Sequence, residues 1–256
     1  METQAIGRIL AEARRDGRKL TEYPGETPGD LPQAFAVQDA MSAAMGKPVV
    51  GWKVGLTSAK AQTLCGHDAP LAGPVFDGDL HDSGAELSLV QDDMGVLEAE
   101  IGFRMAADLP SRAAPYERDE VVAAIGTALP VIEWVNKRLP GGLQEAAEWI
   151  VADGVINRAL ICGPETPFDP AMDMTTERVE VSMNGEVVTQ GVGANALGDP
   201  VAVMVWLAND LSARGKRLLR GDVVATGLIC DVVRAEPKVT VDVRFAALGN
   251  VSVKVA

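Results

Sequence analysis

The stretch Val96-Leu97-Glu98-Ala99-Glu100-Ile101-Gly102-Phe103 constrains the fold of this chain more than any other. Its alternation suits a β-strand, in which residues i and i+2 share a face. Val96, Glu98 and Glu100 then lie on one side, and Leu97, Ala99 and Ile101 on the other. Two anions on one strand face repel. Either water screens them, as on an ordinary strand packed on its far side, or a cation sits between them.

The chain has 256 residues, 47% hydrophobic and 23% charged, which is ample for a full core. Its net charge of −13 repels phosphate backbones and excludes a nucleic-acid partner as the first expectation. It also offers no polybasic membrane anchor. The N-terminal "METQAIGRILAEARRDG" lacks the apolar core of a signal peptide and reads as an amphipathic helix. The apolar run "VAVMVWLA" is too short to span a membrane. Cys65, Cys162 and Cys230 form an odd, scattered set without a CxxC, which points to reduced thiols and a cytoplasmic location. With only His67 and His81 in the chain, a serine–histidine triad or a histidine-rich zinc site has little material.

The texture changes along the chain. Residues 1–70 read as an N-terminal helical part, and 71–256 as a β-rich body, together one structural unit. "IGRILAEARRDGRK" has helical spacing and ends near Gly17, and a Gly/Pro-rich link follows. Asp30 is placed to cap a helix over "LPQAFAVQDAMSAAMGK", with Pro32 tolerated in the first turn. From about Val49, short β-branched runs alternate with turns, and Asn184-Gly185 between alternating segments marks a hairpin. "LQEAAEWIVADG" and "GDPVAVMVWLANDLSARGK" read as helices, the latter from Asp199-Pro200 to Gly215. The class is α+β.

A third acid, Glu133, lies in "LPVIEWVNKR" among Val131, Ile132, Trp134 and Val135. Buried and unpaired it would be costly. Three carboxylates on β-elements in a histidine-poor chain match a hard, oxygen-seeking cation such as Mg²⁺ or Mn²⁺. The alternative is a part-exposed Glu133 paired with Lys137 or Arg138. In "GWKVGLTSAK", Lys53 stands between Trp52 and Val54, bracketed by Gly51 and Gly55. It either snorkels from a strand edge or meets a substrate carboxylate or proton. The glycine-rich "GVGANALGDP" precedes a helix but lacks a P-loop lysine and GxGxxG spacing. His67 and His81 lie in loop-like sequence.

Taken in order, "GWKVGLTS", "LEAEIGF", "ALPVIEWVNKR", "VADGVINRALICG" and "GANALGDPVAVMVWLANDL…LLRGDVVATG" resemble the fumarylacetoacetate hydrolase superfamily. The branch they resemble is that of the 2-oxopent-4-enoate (2-hydroxypenta-2,4-dienoate) hydratases and 4-oxalocrotonate decarboxylases. The resemblance runs over nearly the whole chain. It implies a distorted mixed β-barrel with an N-terminal helical part. It also implies Mg²⁺ or Mn²⁺ held by Glu98, Glu100 and Glu133, and Lys53 as a catalytic residue. Homo-oligomers, decamers among them, and a role in aromatic catabolism follow from the same resemblance.

The chain departs from the family pattern near the substrate. Leu71 stands where an acid is usual, Asn136 where an aspartate is usual, and Leu228 where a serine or threonine follows "TG". Ile156, Asn157 and Arg158 occupy positions usually small. If Leu71, Leu228 and Arg158 line the pocket, the substrate is larger than pentadienoate, with an apolar portion or a second carboxylate on Arg158. Asp153 is the sequence-near internal partner for that guanidinium. The resulting expectation is a metal-dependent hydratase of a 2-oxo-alkenoate acting through a metal-stabilised enolate. The alternatives are a decarboxylase or tautomerase on the same scaffold, or an inactive paralogue that binds an oxo acid.

Overall fold

Six helices and fourteen strands are described in a computed structural model covering residues 2–90, 94–142, 145–234 and 236–256. Helices α1 (Glu2–Arg15) and α2 (Leu31–Met45) form an N-terminal pair. Asp30 caps α2 by accepting from the Gln33 N–H at 2.9 Å, and Gly46 ends it in the left-handed region. Strand β1 (Val49–Gly55), short helix α3 (Ala59–Cys65), and strands β2 (Leu71–Phe76), β3 (Leu80–Asp82) and β4 (Ala85–Leu87) follow. Then come β5 (Val96–Met105), α4 (Arg118–Ala124), β6 (Ile125–Val135), α5 (Ala147–Ala152), β7 (Asn157–Cys162) and β8 (Thr166–Pro167). The chain ends with the β9 (Arg178–Met183)/β10 (Glu186–Val192) hairpin, α6 (Pro200–Ala213), β11 (Val223–Leu228), β12 (Val233–Arg234), β13 (Val239–Phe245) and β14 (Gly249–Val255). In the hairpin turn both Asn184 and Gly185 have positive φ, as a two-residue loop that follows the strand twist requires.

Two sheets build the body. The larger has the order β2-β1-β11-β5-β6-β7-β3, with β12 on β5 and β8 on β6; the smaller has the order β10-β9-β13-β14-β4. Strand β1, within the first seventy residues, is thus an inner strand of the large sheet, parallel to β11. Alternate residues divide the large sheet into two faces. Trp52, Val54, Leu97, Ile101, Phe103, Ile132, Trp134 and Val224 join the main core with α6 and the smaller sheet. The opposite face carries a smaller cluster of Val75, Leu129, Val131, Leu160, Val223 and Ala225. Val75 and Leu160 come from opposite ends of the sheet, so the sheet curls toward itself. No pairing joins β2 to β7 or β3 among the described residues, so the expected distorted barrel takes the form of an open, half-rolled sheet.

Strands β2, β3, β8 and β12 and helix α4 lie outside the sequence expectation, and α5 is shorter than the helix read there. Strand β2 contains Pro74, which cannot donate to a ladder; it is tolerated because β2 is the sheet's edge. Helix α4 starts with a capping box between Glu117 and Glu120. Of the helix read over 143–154, only Ala147–Ala152 is α-helical; Leu143 and Gln144 lie outside the described residues. Among the described residues, no helix is long and apolar enough to cross a membrane.

Close approach of β1 and β11 depends on Gly51, because a Cβ there would lie 2.2 Å from the Val223 carbonyl oxygen. Gly51→Ala is expected to cost about 2–3 kcal/mol, as overpacking does. The check is thermal denaturation: a melting temperature matching wild type would show that the strands separate without cost.

Candidate metal centre

Strand register brings the acids together. β5 and β6 run antiparallel with Glu98 directly opposite Glu133, and Glu100 two residues along on the same face. Glu98, Glu100 and Glu133 each bring a carboxylate oxygen within 4.8 Å of the others. Glu100 and Glu133 are fully buried. The flanking Leu97, Ala99, Ile101, Ile132 and Trp134 point into the main core, and that burial locks the carboxylates onto the concave side.

Lys53 completes the cluster from a distance. It is paired in register with Ala225 on β11, so three inter-strand steps, roughly 14 Å on a flat sheet, separate its strand from β6. Its Nζ nevertheless lies 3.1 Å from Glu133 Oε2, because the sheet is curled. Lys53 is buried and paired, so it does not snorkel from a strand edge.

Each acid is held differently. Glu100 Oε2 accepts the Gly227 N–H at 2.6 Å. Gly227 sits at an irregularity between β11 and β5 with a φ of 99°, and a Cβ on it would strike Thr57. Glu133 Oε1 accepts from Asn157 Nδ2 at 2.9 Å. Glu100 Oε1 is buried and has no hydrogen-bond partner among the described residues. An orphaned carboxylate oxygen facing two further acids is what a hard divalent cation would satisfy, so the donor set fits Mg²⁺ or Mn²⁺.

The electrostatics carry the strain of the arrangement. Burial, then repulsion from Glu133, pushes the Glu98 carboxyl up to about 7, against the pull of Lys53. Burial, then Glu133 and Glu98, raises Glu100 well above the carboxylate range. Burial pulls the Lys53 ammonium down, but the carboxylates, Glu133 first, outweigh it and leave Lys53 above its ordinary value.

The other sequence candidates divide. Leu71 pairs with Gly55 and is buried in a cluster with Val155, whose side chain lies against Gly55 and Gly73 beside Lys53. Leu228 pairs with Glu100 and is half-buried. Leu228 therefore flanks the acids, and Leu71 flanks Lys53. Asp153 and Arg158 do neither. Asp153 is fully buried and holds Arg138, accepting from its Nε at 2.7 Å and its backbone N–H at 2.8 Å. Arg158 stacks on Trp134, 4.4 Å from the ring centroid, and donates to the Ser88 carbonyl. Trp134 follows Glu133 on β6 and so faces the opposite side of the sheet; Arg158 is on that side too. The expectation of a substrate anion on Arg158, with Asp153 as its internal partner, is corrected accordingly. His67 and His81 lie outside the cluster, His81 on strand β3 rather than in a loop.

Two residues went unmarked by the acid pattern. Asn157 contacts Glu133, and Arg14 of α1 contacts Asn157. No local signal exposes them, because both contacts are long-range.

A half-rolled sheet with three converging glutamates, two of them fully buried, is the scaffold of a metal-binding site rather than of a purely structural core. The chain belongs to the fumarylacetoacetate (FAA) hydrolase C-terminal family, which matches residues 42–256. It is 30% identical to the 2-keto-4-pentenoate hydratase of Paraburkholderia xenovorans, over 98% of this chain and 93% of that protein. It is 27% identical to the 2-hydroxyhexa-2,4-dienoate hydratase of Comamonas testosteroni, over 99% of this chain and 97% of that one. Among solved structures, the 4-oxalocrotonate decarboxylase of Pseudomonas putida G7, complexed with magnesium and adipate, superposes with a TM-score of 0.89 at 27% identity. That match covers 99% of this chain and 97% of the decarboxylase.

The raised carboxyls set a pH dependence for the metal-free protein. A group whose folded-state pKa is raised stabilises the fold below its unfolded pKa and loses that contribution as pH rises through the folded value. For Glu98 the window runs from the ordinary carboxylate range to about 7. Chelator-treated protein should therefore melt higher at pH 5.5 than at pH 8, and Mg²⁺ should close the gap. Glu100→Gln should raise the metal-free melting temperature at pH 8, by about 2–4 °C for each kcal/mol of repulsion relieved, and remove metal stabilisation. Equal melting at both pH values would show that the acids are not mutually strained.

Proposed function

We propose that this protein is a divalent-metal-dependent hydro-lyase that adds water to a 2-oxo-alkenoate. The observation that carries the reading is the cluster of half-buried Glu98 with fully buried Glu100 and Glu133, with its orphaned Glu100 oxygen and Lys53 alongside. Full-length likeness to hydratases supports it, and a relative complexed with magnesium supports the choice of cation.

Glu98, Glu100 and Glu133 would hold Mg²⁺ or Mn²⁺. A bound cation supplies Lewis-acid polarisation of the substrate's 2-oxo oxygen. The remaining work falls to the chain. Lys53 is the cation nearest the acids, placed to pair the substrate carboxylate or to move a proton to or from the substrate carbon chain. Leu71 and Val155 form an apolar wall beside Lys53, and Leu228 flanks Glu100. That wall favours a substrate with an apolar tail and gives no partner for a second carboxylate.

Decarboxylation of a 4-oxalocrotonate-like acid is the second reading, favoured by the structural likeness and by Leu71, which offers no acid for handling water. The chain's three thiols are unpaired, which supports a cytoplasmic location. The exposed Val187 and Val188 on edge strand β10 support a homo-oligomer. The substrate is a small 2-oxo acid, with neither nucleic acid nor membrane as a partner.

Purified protein with Mg²⁺ should consume 2-oxopent-4-enoate and its longer alkyl homologues, the latter with the higher kcat/KM, without releasing CO₂. Lys53→Met should lower kcat by about 10²–10⁴-fold while Mn²⁺ binding persists. Release of CO₂ from 4-oxalocrotonate, with no hydration of the monoacids, would select the decarboxylase. Turnover of neither would leave an oxo-acid-binding paralogue.

A further inference from the structure

Glu133 is held from behind by an uncharged side chain. Asn157, buried at the start of β7, donates from Nδ2 to Glu133 Oε1 at 2.9 Å. An amide there has two orientations, and only one offers a donor to the carboxylate. Arg14 selects it. Arg14 Nη2 donates to Asn157 Oδ1 at 3.1 Å, so the carbonyl end faces the guanidinium and the NH₂ end faces Glu133. Arg14 is itself fixed: Nη1 donates to the Asn157 carbonyl at 2.5 Å, and Nη2 pairs with Asp79 at 2.6 Å. Its helix packs Ile6, Leu10 and Ala11 into a cluster with α2 and Trp149.

We infer that Asn157 and Arg14 are positioning residues for the cation site, holding the Glu133 carboxylate toward Glu98 and Glu100. The inference rests on the metal-centre reading above. Its physical basis is the repulsion among the three acids. Glu133 faces Glu98 and Glu100 and, among the described residues, is restrained on Oε2 only by Lys53, so without a second anchor it relieves the repulsion by rotating away. An amide supplies that anchor without neutralising the carboxylate. A guanidinium in direct contact would compete with the cation for the same charge. Setting Arg14 one group further back keeps its rigidity and spares Glu133 its charge.

The test is Mn²⁺ affinity of chelator-treated protein, read from the electron paramagnetic resonance of free Mn²⁺, with melting temperature measured in parallel. Asn157→Leu should weaken binding about 10–100-fold and Arg14→Gln about 3–10-fold. The double variant should bind no more weakly than Asn157→Leu alone, because Arg14 acts only through that amide. A merely structural Arg14 would lower the melting temperature and leave the affinity of the folded protein unchanged. That result, or losses that multiply in the double variant, would overturn the inference. If Arg14→Gln does not fold, Asn157→Leu and the milder Asn157→Ala test the contact alone, and wild-type affinity in both overturns it. Failure of the wild type to bind Mn²⁺ is a separate result, which defeats the metal centre itself.

Discussion

Three carboxylates face one another inside a protein that could have been more stable without them. Glu98 and Glu133 stand opposite across a strand pair, Glu100 is two residues along, and two of the three are fully buried. Burial raises the Glu98 and Glu100 carboxyls, and repulsion from the neighbouring acids adds to the effect. Much of the surrounding structure contains this conflict. Lys53 supplies one positive charge, Gly227 one backbone N–H and Asn157 one amide donor. These partners leave a net negative, incompletely satisfied centre. That is a poor structural device and a good receptacle for a hard cation.

Curvature of the large sheet makes the centre. On a flat sheet Lys53 and Glu133 would be too far apart to touch, whereas the rolled inner face brings them into an ion pair. The roll depends on small residues where strands and loops crowd. Gly51 admits the Val223 carbonyl, and Gly227 both turns its N–H to Glu100 and leaves room for Thr57. Left-handed backbone occurs at Leu56, which follows β1, and at Val155 and Ile156, which lead into Asn157. Non-glycine residues adopt this geometry at a cost, and it persists where surrounding structure over-determines it.

Behind the acids lies a layer of buried charge. Arg138 is bound by Asp153 and by the Asn136 and Asn157 carbonyls, and Arg14 by Asp79 and Asn157. Each guanidinium is paired, which is what permits its burial. Both converge on the turn that delivers Asn157 to Glu133. The N-terminal helices thus reach the centre by a polar route, though they contribute none of its three acids.

Local regularities were legible in the amino-acid order. Period-two alternation places Glu98 and Glu100 on one face whatever else the chain does. Asp30 and Asp199 cap their helices, and Asn184-Gly185 turns its hairpin, because each of those signals acts within three residues. The type and number of acids, set against two histidines, already pointed to an oxygen-ligated divalent cation. Other facts belonged to the tertiary structure alone. Strand register put Glu133 opposite Glu98. Sheet curvature brought Lys53 across the two strands that separate β1 from β6. The choice of partners joined Asp153 to Arg138 and sent Arg158 to the far face of the sheet, over Trp134. Sequence proximity suggested the wrong ion pair because Asp153 and Arg158 straddle a left-handed turn that sends their side chains apart. Such pairings depend on how distant strands twist and meet, and no local pattern carries that information.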